Sequence, residues 1–278
     1  MAEPLALGLI TGLHPTPQEA LALIRSMDIP TVQLQYRADL DNDAGIEEIK
    51  AALKENNIEI SAVFCGFAGE SYDSIPDVHK TVGLVPENTR AERVELTKKI
   101  SQFAQKMNVN RVAAHIGFVP EDANDPQYTV VVDIVRGICA DLKTRGQGYS
   151  LETGQETAPT LKRFIGDVGA DNLYVNFDPA NMLLYGNDDP IEATKLLAPH
   201  IDSAHCKDAT RSKTRGEWGV EMPFGDGEVD VPLWISTLLQ NGFRGVLTIE
   251  REIAGGPEQQ RDIARARDLI RGELAKHQ

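Results

Sequence analysis

The chain has few cysteines, no excess of positive charge and no nucleotide-binding glycine motif. Each of these absences removes a class of function. Only Cys65, Cys139 and Cys206 occur among 278 residues, widely separated, odd in number and with no CxxC pair. A disulfide framework is thereby disfavoured, and a reducing cytoplasm is the expected setting. Lys and Arg number 28 against 42 Asp and Glu, giving a net charge of −14. Nucleic-acid affinity comes largely from neutralising phosphates, so no nucleic-acid partner is expected. No GxGxxG follows the first apolar run and no P-loop is present, which argues against a doubly wound nucleotide-binding sheet. The N-terminal stretch MAEPLALGLITG lacks a basic n-region, and its apolar run is too short to span a bilayer. It reads as a first strand rather than a signal peptide, and no membrane partner is expected.

What is present is a regular alternation of two periodicities. The hydrophobic share of 41% and charged share of 25% are those of a globular chain with material for one large core. Strands are predicted over 5–11, 31–36, 58–65, 111–117, 149–153, 173–178, 201–206 and 245–250. Helices are predicted over 17–27, 45–56, 88–108, 126–145, 157–168, 190–198, 231–241 and 258–275. Thr16-Pro17, Asp125-Pro126 and Asp189-Pro190 supply helix-start chemistry, a capping side chain followed by proline in the first turn. Eight βα units without a Pro/Gly/Ser-rich linker predict an α/β fold. It is a single (β/α)₈ barrel over 1–278, and an open doubly wound sheet is the alternative.

Four of the predicted strands, YSLETG, LYVNFDPA, IDSAHCKD and GVLTIERE, close on Glu152, Asp178, His205 and Glu250. In a parallel barrel the C-terminal strand ends converge on one face, so one such residue on each of strands five to eight forms a single cluster. Three carboxylates and one imidazole suit a divalent ion such as Mn²⁺, Mg²⁺, Co²⁺ or Zn²⁺ rather than a structural thiolate site. Structural roles compete for each residue alone. Glu152 and Glu250 could be rim salt bridges with Lys207 or Arg251, Asp178 a turn-former or helix cap, and His205 a packed core histidine. Their joint occurrence, one per consecutive strand, favours the metal.

Other candidates are weaker. His115, at the end of strand four, faces the substrate or a second metal, or is packed. Lys207 shares a strand face with His205 by two-residue alternation, whereas Cys206 points away and is not expected to be a nucleophile. Arg211 lies six residues beyond His205 on a long loop, 208–230, within reach of a substrate oxygen or in solvent. Gln155 and Glu156 follow Glu152 and are candidates for supporting the ligands. Trp218 and Phe224 are either lid or loop anchor.

Together these residues resemble the sugar phosphate isomerase/epimerase branch of the xylose-isomerase-like barrels. That branch includes ketose 3-epimerases, hydroxypyruvate isomerases and inosose dehydratases. The specific part is the Glu…Asp…His…Glu order, with HxKD at His205–Asp208 and a PxGxG-type loop at Pro223–Gly227. The resemblance implies one divalent ion held by Glu152, Asp178, His205 and Glu250. It implies that Glu152 and Glu250 are also the acid/base pair for enediolate chemistry on a small carbohydrate. It further implies that Arg211 contacts the substrate and that the chain forms a homodimer or homotetramer. Asn181 stands where many members have a histidine, leaving it a hydroxyl-binding role. A metal-dependent lyase acting on a keto-sugar or inosose would use the same quartet, and a sugar-binding barrel would need no acid/base pair. The related apurinic endonucleases need further metal-binding histidines, and Cys65 and Asn181 occupy two of those places. The acidic Gly225-Asp226-Gly227-Glu228 run is a poor phosphate cradle, which favours an unphosphorylated ketose, keto-sugar or inosose.

Overall fold

The computed structural model describes residues 5–214 and 216–277. Seven short strands follow one another as β1 (Leu7–Thr11), β2 (Thr31–Gln35), β3 (Glu59–Phe64), β4 (Arg111–Ala114), β5 (Gly148–Glu152), β6 (Leu173–Phe177) and β7 (Ile201–Cys206). An antiparallel pair outside the barrel comes next, β8 (Asp208–Thr210) with β9 (Val220–Met222), and β10 (Val246–Ile249) completes the set. The eight barrel strands are parallel and close in the order β1-β10-β7-β6-β5-β4-β3-β2. The fold is therefore the predicted (β/α)₈ barrel.

The outer layer consists of α1 (Pro17–Ser26), α2 (Asp43–Asn56), α3 (Ile75–Thr81), α4 (Glu87–Lys106), α5 (Pro126–Lys143), α6 (Ala158–Val168), α7 (Pro179–Leu184), α8 (Pro190–Leu197), α9 (Val231–Gln240) and α10 (Pro257–Ala275). The predicted start signals operate as capping chemistry. Thr16 Oγ1 accepts from Glu19 N at 3.3 Å, Asp125 Oδ1 from Gln127 N at 2.8 Å and Asp189 Oδ1 from Ile191 N at 2.9 Å. Between helices and barrel lies a continuous apolar layer that includes Leu21, Ile49, Phe103, Phe164 and Trp234, all fully buried. No helix among the described residues is long and apolar enough to cross a membrane.

The sequence pattern and the structure differ in three places. Strand four, expected to reach residue 117, ends at Ala114. Beyond it the Ile116 carbonyl accepts from Leu84 N (2.7 Å) and Val85 N (3.1 Å), so the chain pairs with a loop instead of a neighbouring strand. Helices α3 (7 residues) and α7 (6 residues) are short helices inside predicted loops, where no amphipathic repeat is long enough to announce them. The β8–β9 pair lies within the 208–230 loop.

Candidate active site

Strand alternation places Glu152, Asp178, His205 and Glu250 at the C-terminal mouth of the barrel on four adjacent strands. All four are buried, and one ligand atom from each lies within 4.8 Å of the others. His205 Nδ1 is 3.1 Å from Glu152 Oε1, 3.1 Å from Glu250 Oε2 and 3.9 Å from Asp178 Oδ2. Two readings of Asp178 that competed in the sequence prove compatible. Its Oδ1 caps α7, accepting from Ala180 N (2.8 Å) and Asn181 N (3.2 Å), while its Oδ2 is buried with no hydrogen-bond partner. A buried carboxylate oxygen without a donor is costly. Here it faces two glutamates and an imidazole nitrogen, so the set fits a divalent cation.

The histidine ring is held from the far side by residues that the sequence pattern did not single out. His205 Nε2 lies 2.6 Å from Gln33 Oε1 on β2 and 2.9 Å from Asn176 Nδ2 on β6, and Ser203 Oγ donates to Asn176 Oδ1 at 2.6 Å. Donation from Nε2 to Gln33 Oε1 orients the ring with Nδ1 aimed at the carboxylates, the arrangement that a bound cation would require of the histidine. The available signal was a glutamine in mid-strand, TVQLQ, fully buried between Val32 and Leu34. Replacing Gln33 by Leu is expected to weaken divalent-ion binding about 10–100-fold. Titration calorimetry checks this, and unchanged affinity would mean that packing alone orients the ring.

The electrostatics favour ionised glutamates. Burial opposes the charge on Glu152, but His115 and His205 outweigh it and hold the carboxyl below its usual range. Burial likewise opposes Glu250, and Lys207 with His205 bring it down. Asp178 is raised by complete burial despite Lys207. Glu152 is positioned by His115 Nε2 (3.0 Å from Oε2) and by Asn181 Nδ2 (3.2 Å from Oε1). Asn181 reaches that carboxylate because Gly154 lies against it: a Cβ at Gly154 would sit 2.2 Å from Asn181 Cβ. Lys207 is buried, with Nζ 3.2 Å from Glu250 Oε2, 3.8 Å from Asp178 Oδ2 and bonded to Glu252.

Above the cluster is a cavity of about 580 Å³. His115, Asn181 and Lys207 line it, as do Glu152 and Glu250. Tyr36, Phe64, Tyr72, Tyr185 and Trp218 give it aromatic walls. Arg211 is not among the lining residues; its guanidinium donates to the Asp188 carbonyl, and its backbone N–H donates to Glu228 Oε2 at 3.2 Å. Gln155 Nε2 sits 3.5 Å from the Tyr185 hydroxyl, and burial pushes the Glu156 carboxyl up to about 8. Burial also raises the Cys206 thiol. Of the two loop aromatics, Trp218 faces the cavity 4.6 Å from Tyr185, and Phe224 is an anchor packed on Trp234.

Asp208 organises the long loop. Its Oδ1 accepts from Ala209 N (2.8 Å) and Val229 N (3.1 Å), and its Oδ2 from Gly225 N and Gly227 N (3.0 Å each). A Cβ at Gly227 would lie 2.1 Å from Asp208 Oδ1, so only glycine permits this approach. The PFGDG segment thus wraps an internal carboxylate, and its Gly225, Asp226 and Gly227 amides are already used.

The chain is thus a closed parallel barrel with a buried Glu-Asp-His-Glu cluster that could hold a metal ion at its mouth, and comparison with known proteins gives the family. The family model described as xylose isomerase-like TIM barrel matches residues 18–272, and the chain belongs to that family. A xylose isomerase domain protein from Planctomyces limnophilus is 39% identical, with a TM-score of 0.92 and 98% of each chain covered. L-ribulose-5-phosphate 3-epimerase UlaE of Escherichia coli is 26% identical over 211 residues, covering 70% of this chain and 68% of that protein. A xylose isomerase-like barrel from Mycobacterium smegmatis, solved in complex with magnesium, shares the fold. Its TM-score is 0.74 at 18% identity, with 98% and 97% of the two chains covered.

Proposed function

We propose that this protein is a divalent-metal-dependent epimerase or isomerase acting on an uncharged sugar with a carbonyl group. The observation that carries the reading is the pair of glutamates, from the two outer members of four adjacent strands, meeting in one buried cluster on the cavity floor. Glu152, Asp178, His205 and Glu250 would hold a divalent ion, which when bound would supply Lewis-acid polarisation of a substrate carbonyl. Glu152, whose carboxyl is held below its usual range beside His115, and Glu250, likewise beside Lys207, would remove and return a proton at the adjacent carbon. Asn181 and His115 steady Glu152, and Lys207 steadies Glu250, so each carboxylate keeps a fixed direction. The aromatic walls offer stacking faces to a sugar ring. The epimerase named among the relatives supports the reaction type.

The charge of the cavity supports an unphosphorylated substrate. Glu70, Glu152, Glu221, Glu250 and Glu252 line it, and Lys207 is already paired with carboxylates. A phosphate dianion would meet repulsion there, and the Gly225 and Gly227 amides are bound to Asp208. With Mg²⁺-loaded protein in D₂O, proton NMR is expected to show deuterium entering beside the carbonyl of a free ketose or keto-sugar. The corresponding phosphate ester should have a kcat/KM at least about tenfold lower, a modest 1.4 kcal/mol preference. Exchange confined to phosphate esters would sink the neutral-sugar reading. Loss of water from the substrate would assign a dehydratase instead.

A further inference from the structure

The Phe, Tyr and Trp side chains around the site cavity are not equivalent. Phe64 and Tyr185 are buried, and Trp218 rests 4.6 Å from Tyr185. Tyr36 donates its hydroxyl to Asp41 Oδ2 (2.9 Å) and lies edge-on to Phe103 at 5.5 Å. Packing against neighbours has taken up these rings. Tyr72, on the loop between β3 and α3, lines the same cavity but is 44% exposed, and it alone of this group is left open. Its ring centre is 6.1 Å from that of His115, whose Nε2 is 3.0 Å from Glu152 Oε2. Tyr72 therefore stands on the Glu152 side of the four-residue cluster, one imidazole away from the carboxylate. The loop that carries it is held at several points. Glu70 Oε1 accepts from Gly83 N (2.8 Å) and Oε2 from Phe67 N (3.3 Å), and Ser71 N donates to Thr81 Oγ1 (2.9 Å). Arg93 Nη2 donates to the Ala68 carbonyl (3.3 Å), with its guanidinium 5.4 Å from the Phe67 ring centre. A ring on a loop fixed in this way loses little freedom when a ligand covers it.

We propose that Tyr72 is a substrate-binding residue, its open ring face packing on the C–H face of a sugar seated at the Glu-Asp-His-Glu cluster, on the side of Glu152. This rests on the sugar reading above. A sugar ring carries hydroxyls around its edge and C–H groups on its faces. The carboxylates of the cavity suit the hydroxyl edge, and Tyr72 supplies an apolar face that no protein neighbour covers. Such a contact is made equally in the bound substrate and in the transition state. It therefore sets KM rather than the chemical step.

The test measures binding apart from turnover. The D-2-ketohexoses and 2-keto-myo-inositol are titrated into Mg²⁺-loaded protein and followed by saturation-transfer NMR, with deuterium exchange read on the same samples. Tyr72→Ala is expected to raise Kd at least about fivefold for whichever of these sugars the unaltered protein binds. Tyr72→Phe keeps the ring face and should stay within about twofold of the unaltered protein. Exchange at saturating sugar should hold within about twofold in both variants, with KM carrying the change. Mg²⁺ affinity should not move. Unchanged sugar affinity in Tyr72→Ala overturns the assignment, and continued exchange would then leave the sugar reading standing without it. Tyr72→Phe as weak as Tyr72→Ala also overturns it, because the hydroxyl and not the ring face would be the contact. So does a parallel loss of Mg²⁺ affinity, which would route the effect through His115 and Glu152. Neither binding nor exchange with any of these sugars would bring down the sugar reading itself, and this contact with it.

Discussion

Glu152→Gln and Glu250→Gln should each lower interconversion of the two epimers by about a thousandfold, roughly 4 kcal/mol of transition-state stabilisation. The amide keeps shape and an oxygen but cannot take a proton, so the fold should persist. Each variant also retains one functioning carboxylate. Residual deuterium exchange should therefore be confined to one epimer in each variant, and to the opposite epimer in the other. The geometry makes this expectation specific: Glu152 is steadied by His115 and Asn181, and Glu250 by Lys207, on different sides of the cluster. Wash-in followed by NMR, alongside metal titration of each variant, separates loss of a base from loss of a ligand. Equal residual exchange from both epimers in either variant would move proton transfer to other groups.

The second large effect concerns the loop rather than the chemistry. Asp208 is 1% exposed and accepts four backbone N–H groups. In Asp208→Ala those donors lose their acceptor, and Ala209 and Val229 are themselves buried. An unsatisfied buried donor costs about 1–3 kcal/mol, and the part-buried glycine amides recover water, so a loss of about 3 kcal/mol is expected. For a chain of this size that is a fall in Tm of about 6–12 °C. Asp208→Asn, which keeps one acceptor oxygen, should lose about half as much. Metal affinity should hold, because Asp208 is outside the cluster, while KM rises as the loop carrying Trp218 and Glu221 loosens. Thermal and denaturant unfolding decide the matter; a loss under about 1 kcal/mol would mean that the loop is held by its apolar anchors, Phe224 and Val229.

Much of the site was legible because the relevant rules are local. A charged residue closing an apolar strand, repeated on four successive βα units, identifies the quartet without any knowledge of contacts. Asp178-Pro179 carried the capping signal as well, and the structure shows one oxygen capping and the other turned to the cluster. Arg211 marks where such reasoning stops. Six residues past His205 on a loop says nothing about direction, and in the structure the guanidinium donates to the Asp188 carbonyl and does not line the cavity. The PFGDG run reads in the sequence as a poor phosphate cradle, and the reason visible only in three dimensions is that its Gly225 and Gly227 amides donate to Asp208.

The sequence by itself determined the alternation of strand and helix, the helix starts and the four candidate ligands. Side-chain period and capping act over a few residues. Only the tertiary structure decided what meets across the barrel. Gln33 reaches His205 across 172 residues of chain, Asn181 turns to Glu152, and Lys207 is enclosed by carboxylates. Barrel closure also set the first strand beside the last, so that Ile10 and Glu250 line one cavity. Those contacts depend on strand order and register around a closed sheet, and no local pattern encodes them.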